Sequence, residues 1–276
     1  MSARSNPGRK VAGIVFDIES IVDGELVSRL QYPGEGLTAA DAILRYKAEL
    51  LESTGRDFIP YTYHLPISLV VATVAPDYRL LNLTALDEEQ SRPHEIVRQF
   101  WDGWERYDQP TLVTFNGRGF DLPLLELACF RYGIPIPDWF AEDRRSFDQP
   151  RNRYNMAGHF DLHEWLTNSG ATRFNGGLSL AASLIGKPGK LDVAGHMVQD
   201  LWDAGRRQEI HDYCRGDVLD TYFIYLRSRV VAGVLSLAEE QAIIEETRTW
   251  LEARAETSPA LRKYLDAWGD WQSPWA

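Results

Sequence analysis

The stretch Val11 to Ile18 is a near-continuous apolar run, rich in Val and Ile, that closes on Asp17-Ile18-Glu19. A run of this length bounded by polar residues predicts a buried strand at the centre of a sheet. Period-two alternation puts the Asp17 and Glu19 carboxylates on one face of that strand, at its carboxyl end. Open α/β sheets place their ligand sites at such ends. The run meets charge too soon for a signal-peptide core or a membrane span.

The rest of the chain alternates between strand and helix patterns. Residues 20–36 read as a connecting loop, and Thr38 to Ser53 as a helix capped by Thr38 and stopped by Gly55. Leu65 to Ala75 and Tyr78 to Leu86 flank Ala-Pro-Asp and predict a hairpin. Pro93 to Tyr107 is an amphipathic helix, Thr111 to Phe115 a short buried strand, and Leu122 to Tyr132 a helix ending at Gly133. A proline-containing loop over 134–157 leads to a short strand at His159-Phe-Asp-Leu162. Further helices are expected over 178–185, 193–203, 207–229 and 237–254, before a tryptophan-rich tail. This order predicts an α/β fold on a mixed sheet with a helical C-terminal part. The expected division is a flexible N-terminus (1–10), one domain (11–230) and a helical extension (231–276).

With 29 basic and 40 acidic residues the formal net charge is −11. A protein that coats duplex nucleic acid is usually basic, so that role is disfavoured. An enzyme gripping one strand end remains open, because divalent cations neutralise carboxylates locally. Cys129 and Cys214 fall in predicted helices with no paired spacing, which implies no disulfide framework and a reduced, cytoplasmic setting.

Two further stretches share the acidic character of Asp17-Ile-Glu19. Asn116-Gly-Arg-Gly-Phe-Asp121 follows a buried strand and opens a helix, where Asp121 would also serve as an N-cap. Tyr213-Cys-Arg-Gly-Asp217 spaces a phenol and a carboxylate four apart, on one helix face. Four carboxylates aimed at a common point repel one another unless cations sit among them. The arrangement fits a two-metal site for cutting phosphodiester bonds, with the metals ~3.5–4 Å apart. Oxygen-only ligands select Mg²⁺ or Mn²⁺ over zinc. Arginines 144, 145, 151 and 153, and Lys187 and Lys190 in their glycine-containing loop, offer charge to a phosphate backbone.

The order of the three motifs resembles the DEDD superfamily of 3′–5′ exonucleases, and tyrosine four residues before the last aspartate marks its DEDDy branch. The histidine branch would need His one residue beyond His211, where Asp212 stands. The segment Lys187-Pro-Gly-Lys-Leu-Asp-Val-Ala-Gly195, followed by Ile210 to Tyr222, is similar to stand-alone predicted exonucleases related to the proofreading domain of family-B polymerases. The likeness covers roughly residues 11 to 230 and implies a ribonuclease H-like fold with a five- or six-stranded mixed sheet.

Carried over residue by residue, the resemblance implies that Asp17 bridges two metals and that Glu19 and Asp217 complete the nucleophile-side metal. Asp121 would hold the second metal largely through water. Tyr213 would orient the attacking water, with an unshifted or raised pKa. Asn116 and Phe120 would touch the terminal nucleotide, with Lys187 and Lys190 as further substrate contacts. The expected substrate is a single-stranded 3′ end, DNA before RNA, and the products nucleoside 5′-monophosphates. A 3′–5′ exoribonuclease and a catalytically silent nucleic-acid-binding module are the alternatives. No polymerase domain is visible, so any editing is expected in trans, for a polymerase or repair partner.

Overall fold

The computed structural model describes residues 10–189 and 195–275. Its centre is β1 (Gly13–Val22), antiparallel to β2 (His64–Val74), which pairs antiparallel with β3 (Leu80–Ala85). On its other side β1 runs parallel to β4 (Thr111–Thr114), and β4 parallel to β5 (His159–Asp161). The order β3-β2-β1-β4-β5, with β2 alone reversed, is the expected mixed sheet and a ribonuclease H-like topology.

The helices are α1 (Gly24–Gln31), α2 (Ala39–Thr54), α3 (Pro93–Arg106), α4 (Asp121–Tyr132), α5 (Pro137–Phe140) and α6 (Leu162–Leu166). They continue with α7 (Gly177–Leu184), α8 (Val198–Asp203), α9 (Arg207–Val231), α10 (Leu237–Ala255) and α11 (Pro259–Asp266). Thr38 caps α2 and Gly55 ends it at φ 74°, a left-handed value that glycine adopts without penalty.

Alternation along β1 divides the core in two. Ile14, Phe16 and Ile18 join Phe100, Trp101 and Trp104 of α3, Leu125 of α4 and Trp139 of α5. Val15 faces the other way, into a cluster with Cys214, Val218 and Tyr222 of α9. Asp17 and Glu19 continue the Val15 face and therefore look toward α9.

Residues 20–36 are not simply a loop. β1 continues to Val22, and α1 follows, started by the Asp23 carboxylate accepting the Leu26 N–H. Apart from Gly24, only Val27 of this helix is buried, too little for a visible apolar period. The tail carries α11, which Ser258 caps and Pro259 begins. Ile243, Leu251, Leu261 and Tyr264 of the last two helices lie in the same core cluster as Val15 and Val113. The fully buried Glu240 of α10 takes the Arg227 guanidinium of α9 at 2.7 Å. The N-terminal nine residues, Lys190 and the start of the helix expected from 193 lie outside the described residues.

Candidate active site

β4 accompanies β1 only as far as Val15, where Val113 is its partner. Beyond that point one edge of β1 has no strand beside it, and the Asn116–Phe120 loop turns there into α4. The Asp121 carboxylate is 5% exposed and lies beside the main-chain N–H of Ile18, which holds its pKa down against the larger effect of burial. The start of α4 thus lies against the carboxylate-bearing end of β1.

Close approach explains Gly117: a Cβ there would lie 2.4 Å from Oγ1 and 2.6 Å from Cβ of the buried Thr114. Asn116 has φ 66° and an exposed side chain at the loop's outer corner. From β5, the Asp161 carboxylate accepts the N–H groups of Asn116 at 3.0 Å and Arg118 at 2.9 Å. The same carboxylate caps α6 through the His163 and Glu164 N–H groups. Asp161 thus fixes the loop that delivers Phe120 and Asp121.

Over the other side of the β1 end runs α9. Tyr213, Cys214 and Asp217 present one face, as i, i+1 and i+4 positions do on a helix. Asp17, Glu19 and Asp217 each offer an oxygen, and these lie within 4.8 Å of one another. Asp121 does not join the trio at that distance, but its charge is felt there. Burial first, then the charges of Asp121, Glu19 and Asp217, push the Asp17 carboxyl well above its ordinary range. Burial likewise raises Asp121 to about 7. Such a concentration of buried negative charge, with oxygen donors only, suits hard divalent cations.

Tyr213 packs beside Ile21, Ile67 and Ile210. Burial, the charges of Asp217, Glu19 and Asp17, and a hydrogen bond to Asp217 raise its pKa. The phenol therefore keeps its proton throughout the neutral range. His211, the near miss to a histidine branch, points elsewhere. Its ring is buried between Ser68 Oγ at 2.7 Å and Ser91 Oγ at 3.1 Å.

The expected substrate contacts divide. Phe120 is half-buried beside Asp121, in ring contact with Phe58, Tyr61 and His64. Lys187 requires correction: it is 5% exposed, with its ammonium 4.1 Å from the Trp268 ring centre and 5.1 Å from that of Phe223. The glycine-containing loop suggested a reach for phosphate, and Phe223 of α9 and Trp268 of the tail, both distant in sequence, cover the ammonium instead. Lys190 lies outside the described residues. Arg151 and Arg153 pair with Glu126 and Glu164, and all four arginines of this loop are exposed. Cys214 carried no expected role, yet its Sγ lies against Asp17. Nothing in the sequence flagged it beyond its place between Tyr213 and Asp217.

A family model described as a predicted 3′-5′ exonuclease related to the exonuclease domain of PolB matches residues 56–268, and the chain belongs to that family. The matched stretch includes Asp121, Tyr213 and Asp217 and begins after Asp17 and Glu19. A DNA polymerase of Archaeoglobus fulgidus is 23% identical over 222 residues, covering 79% of this chain and 26% of the polymerase. The solved family B DNA polymerase of the hyperthermophilic archaeon Pyrobaculum calidifontis aligns with a TM-score of 0.47 and 16% identity. That alignment covers 84% of this chain and 27% of the polymerase, so the chain spans about a quarter of the length of either.

Proposed function

We propose that this member of the exonuclease family removes nucleotides one at a time from the 3′ end of single-stranded nucleic acid, DNA in preference to RNA, by metal-dependent hydrolysis. The observation that carries the reading is the gathering of Asp17, Glu19 and Asp217 oxygens within 4.8 Å, beside Tyr213 and Asp121. Those four carboxylates would hold two divalent cations, Mg²⁺ or Mn²⁺, which supply positive charge to the phosphate and acidify a water. No helix among the described residues is long and apolar enough to cross a membrane.

The chain's own groups divide the work. Asp121, beside the Ile18 N–H, keeps its carboxylate aimed across the β1 end. Tyr213 retains its proton, so it holds and orients water by hydrogen bonding and takes no proton from it. Phe120 and Asn116 flank the place where a terminal nucleotide would lie. Water adds at phosphorus, the bond to the 3′ oxygen breaks, that oxygen leaves with a proton, and a nucleoside 5′-monophosphate departs. A partner polymerase or repair protein would supply frayed or mispaired ends in trans.

The test is digestion of matched DNA and RNA oligonucleotides, single-stranded and duplex, blocked at one end or the other, with Mg²⁺ or Mn²⁺. Shortening from free 3′ ends only, lost in Asp17→Ala, is expected. Normal digestion by Asp17→Ala would refute the site, and no digestion with either metal would favour a silent binding module. Faster loss of RNA than of DNA would favour the exoribonuclease.

A further inference from the structure

The helices after residue 231 reach the acidic centre through one tyrosine. Tyr264 of α11 is 2% exposed, and its hydroxyl donates to Asp220 Oδ1 of α9 at 2.6 Å. A Cβ on Gly216 would lie 4.0 Å from Tyr264 Cδ2, an ordinary packing distance. Gly216 and Asp220 stand four apart on one stripe of α9, and Asp217 lies beside that stripe. Tyr264 therefore bears on α9 at the residue before Asp217 and again one turn further on. Trp268 closes the contact, its ring centre 6.0 Å from that of Tyr264 and 5.1 Å from that of Phe223.

A carboxyl group is a costly choice for packing alone. Asp220 is fully buried, and its Oδ2 has no hydrogen-bond partner among the described residues. An apolar residue of similar size would avoid that penalty. Burial raises the Asp220 carboxyl to about 8, the Tyr264 bond opposes the rise, and the Asp217 charge adds to it. Burial, then the charge and bond of Asp220, then the Asp217 charge raise Tyr264 too, so the phenol stays a donor. Resting on the metal-dependent reading above, we propose that Tyr264 and Asp220 are positioning residues for Asp217. Their bond fixes the turn of α9 that brings the Asp217 oxygen within 4.8 Å of those of Asp17 and Glu19. Those carboxylates repel one another until a cation arrives, so the helix must be held from outside the cluster. Around α9, Cys214 ties one side of Asp217 to β1, and Tyr264 holds the other. α11 thereby belongs to the metal centre and is more than a cover on the sheet.

The experiment titrates the metal-free protein with Mn²⁺, reading free Mn²⁺ by electron paramagnetic resonance, and records melting temperatures beside it. Wild type is compared with Tyr264→Phe, Asp220→Leu and Asp220→Asn. Tyr264→Phe keeps the ring and removes the bond, and should raise the Mn²⁺ dissociation constant about 3- to 10-fold, the worth of one hydrogen bond. Asp220→Leu breaks the same bond from its other end and should match that rise. Asp220→Asn keeps an acceptor oxygen for the Tyr264 hydroxyl and should stay near wild type. A lower melting temperature with an unchanged dissociation constant in Tyr264→Phe and Asp220→Leu overturns the inference and confines the pair to the fold. A rise in Asp220→Asn equal to that in Asp220→Leu also overturns it, because charge and not position would then be the cause. No Mn²⁺ binding by wild type brings down the metal-dependent reading and this inference together. Wild-type binding that Tyr264→Phe leaves unaltered brings down the inference alone.

Discussion

Cys214 Sγ sits 3.3 Å from the main-chain oxygen of Asp17 and 3.6 Å from its carboxylate Oδ2. The thiol comes from α9 and the carboxylate from β1, so this contact locks the strand end to the helix that carries Tyr213 and Asp217. Burial, then the charges of Asp17, Glu19 and Asp217, push the thiol pKa well up, and it remains a donor. Cys214→Ala should lower kcat about five- to tenfold, the worth of one modest hydrogen bond, and Cys214→Ser should retain most of the activity. Cys129, raised to about 12 by burial, is equally short of thiolate. Iodoacetamide at about pH 8 should label neither cysteine until the protein is denatured, as intact-mass spectrometry would report.

The carboxylate cluster makes metal-free stability depend on pH in a defined direction. The folded pKa of Asp121 is about 7 and that of Asp17 is also raised, against an ordinary 3.8. Between those values the folded protein holds protons that the unfolded chain has released, so stability falls as pH rises through the window. The buried His64, His159 and His211, whose pKa values burial lowers, act in the opposite sense, so the trend is read as a difference: the melting temperature in EDTA of wild type relative to Asp17→Asn should drop from about pH 5 to about pH 8. Mn²⁺ should raise the wild-type melting temperature more at the higher pH, where protons compete less. A wild-type melting temperature in EDTA that rises relative to Asp17→Asn over this range would contradict the charge arrangement.

Asp161 holds together two things that the reaction needs in register. It accepts from Asn116 and Arg118 in the loop before Asp121, and from His163 and Glu164 at the start of α6. Asp161→Ala removes both sets and should cost about 2–4 kcal/mol in denaturant unfolding, the sum of a lost cap and unmade loop bonds. Because the loop also aims Asp121, the Mn²⁺ needed for half-maximal activity should rise. Asp161→Asn keeps one acceptor oxygen and should recover part of both losses. A variant that is destabilised with unaltered metal dependence would confine Asp161 to the fold.

Tyr213 is the residue whose removal should separate water placement from metal binding. Its hydroxyl bonds to Asp217 but adds no carboxylate to the trio. Tyr213→Phe should slow turnover roughly a hundredfold, the loss typical of one positioned donor. The Mn²⁺ midpoint should stay put. A shifted midpoint with normal kcat at saturating metal would instead make the phenol a support for the cluster.

Much of the architecture was legible in the chain because its signals are local. The Val11–Ile18 run, the Thr38 and Gly55 boundaries of α2 and the Tyr213–Asp217 spacing each need only neighbouring residues to be read. α2 and α9 appear where capping and periodicity put them, and β1 begins within the expected run but continues past it to Val22. What escaped depends on contacts distant in sequence. Cys214 gained its place only when α9 crossed β1, 197 residues away in the chain. Phe58 looks like an ordinary loop aromatic until Phe120 comes beside it. α1 escaped for another reason: Val27 is its one buried apolar side chain, which sets no period.

Lys187 illustrates the same point and permits a last test. A lysine between glycines invites a phosphate, but Trp268 and Phe223 enclose its ammonium, and burial lowers its pKa to about 8. Below that value the folded and unfolded chains are both protonated and the penalty of the buried charge is felt in full. Between about 8 and the ordinary 10.5 the unfolded chain binds the extra proton, so stability gains with rising pH. Lys187→Met keeps the packing of the alkyl stem and removes the charge. The stability of Lys187→Met relative to wild type should be greatest below about pH 8 and shrink towards pH 10.5. KM for a single-stranded oligonucleotide should not change, because the ammonium is turned into the protein. A rise in KM with melting temperature preserved would return Lys187 to the substrate path and require the tail to swing away from it.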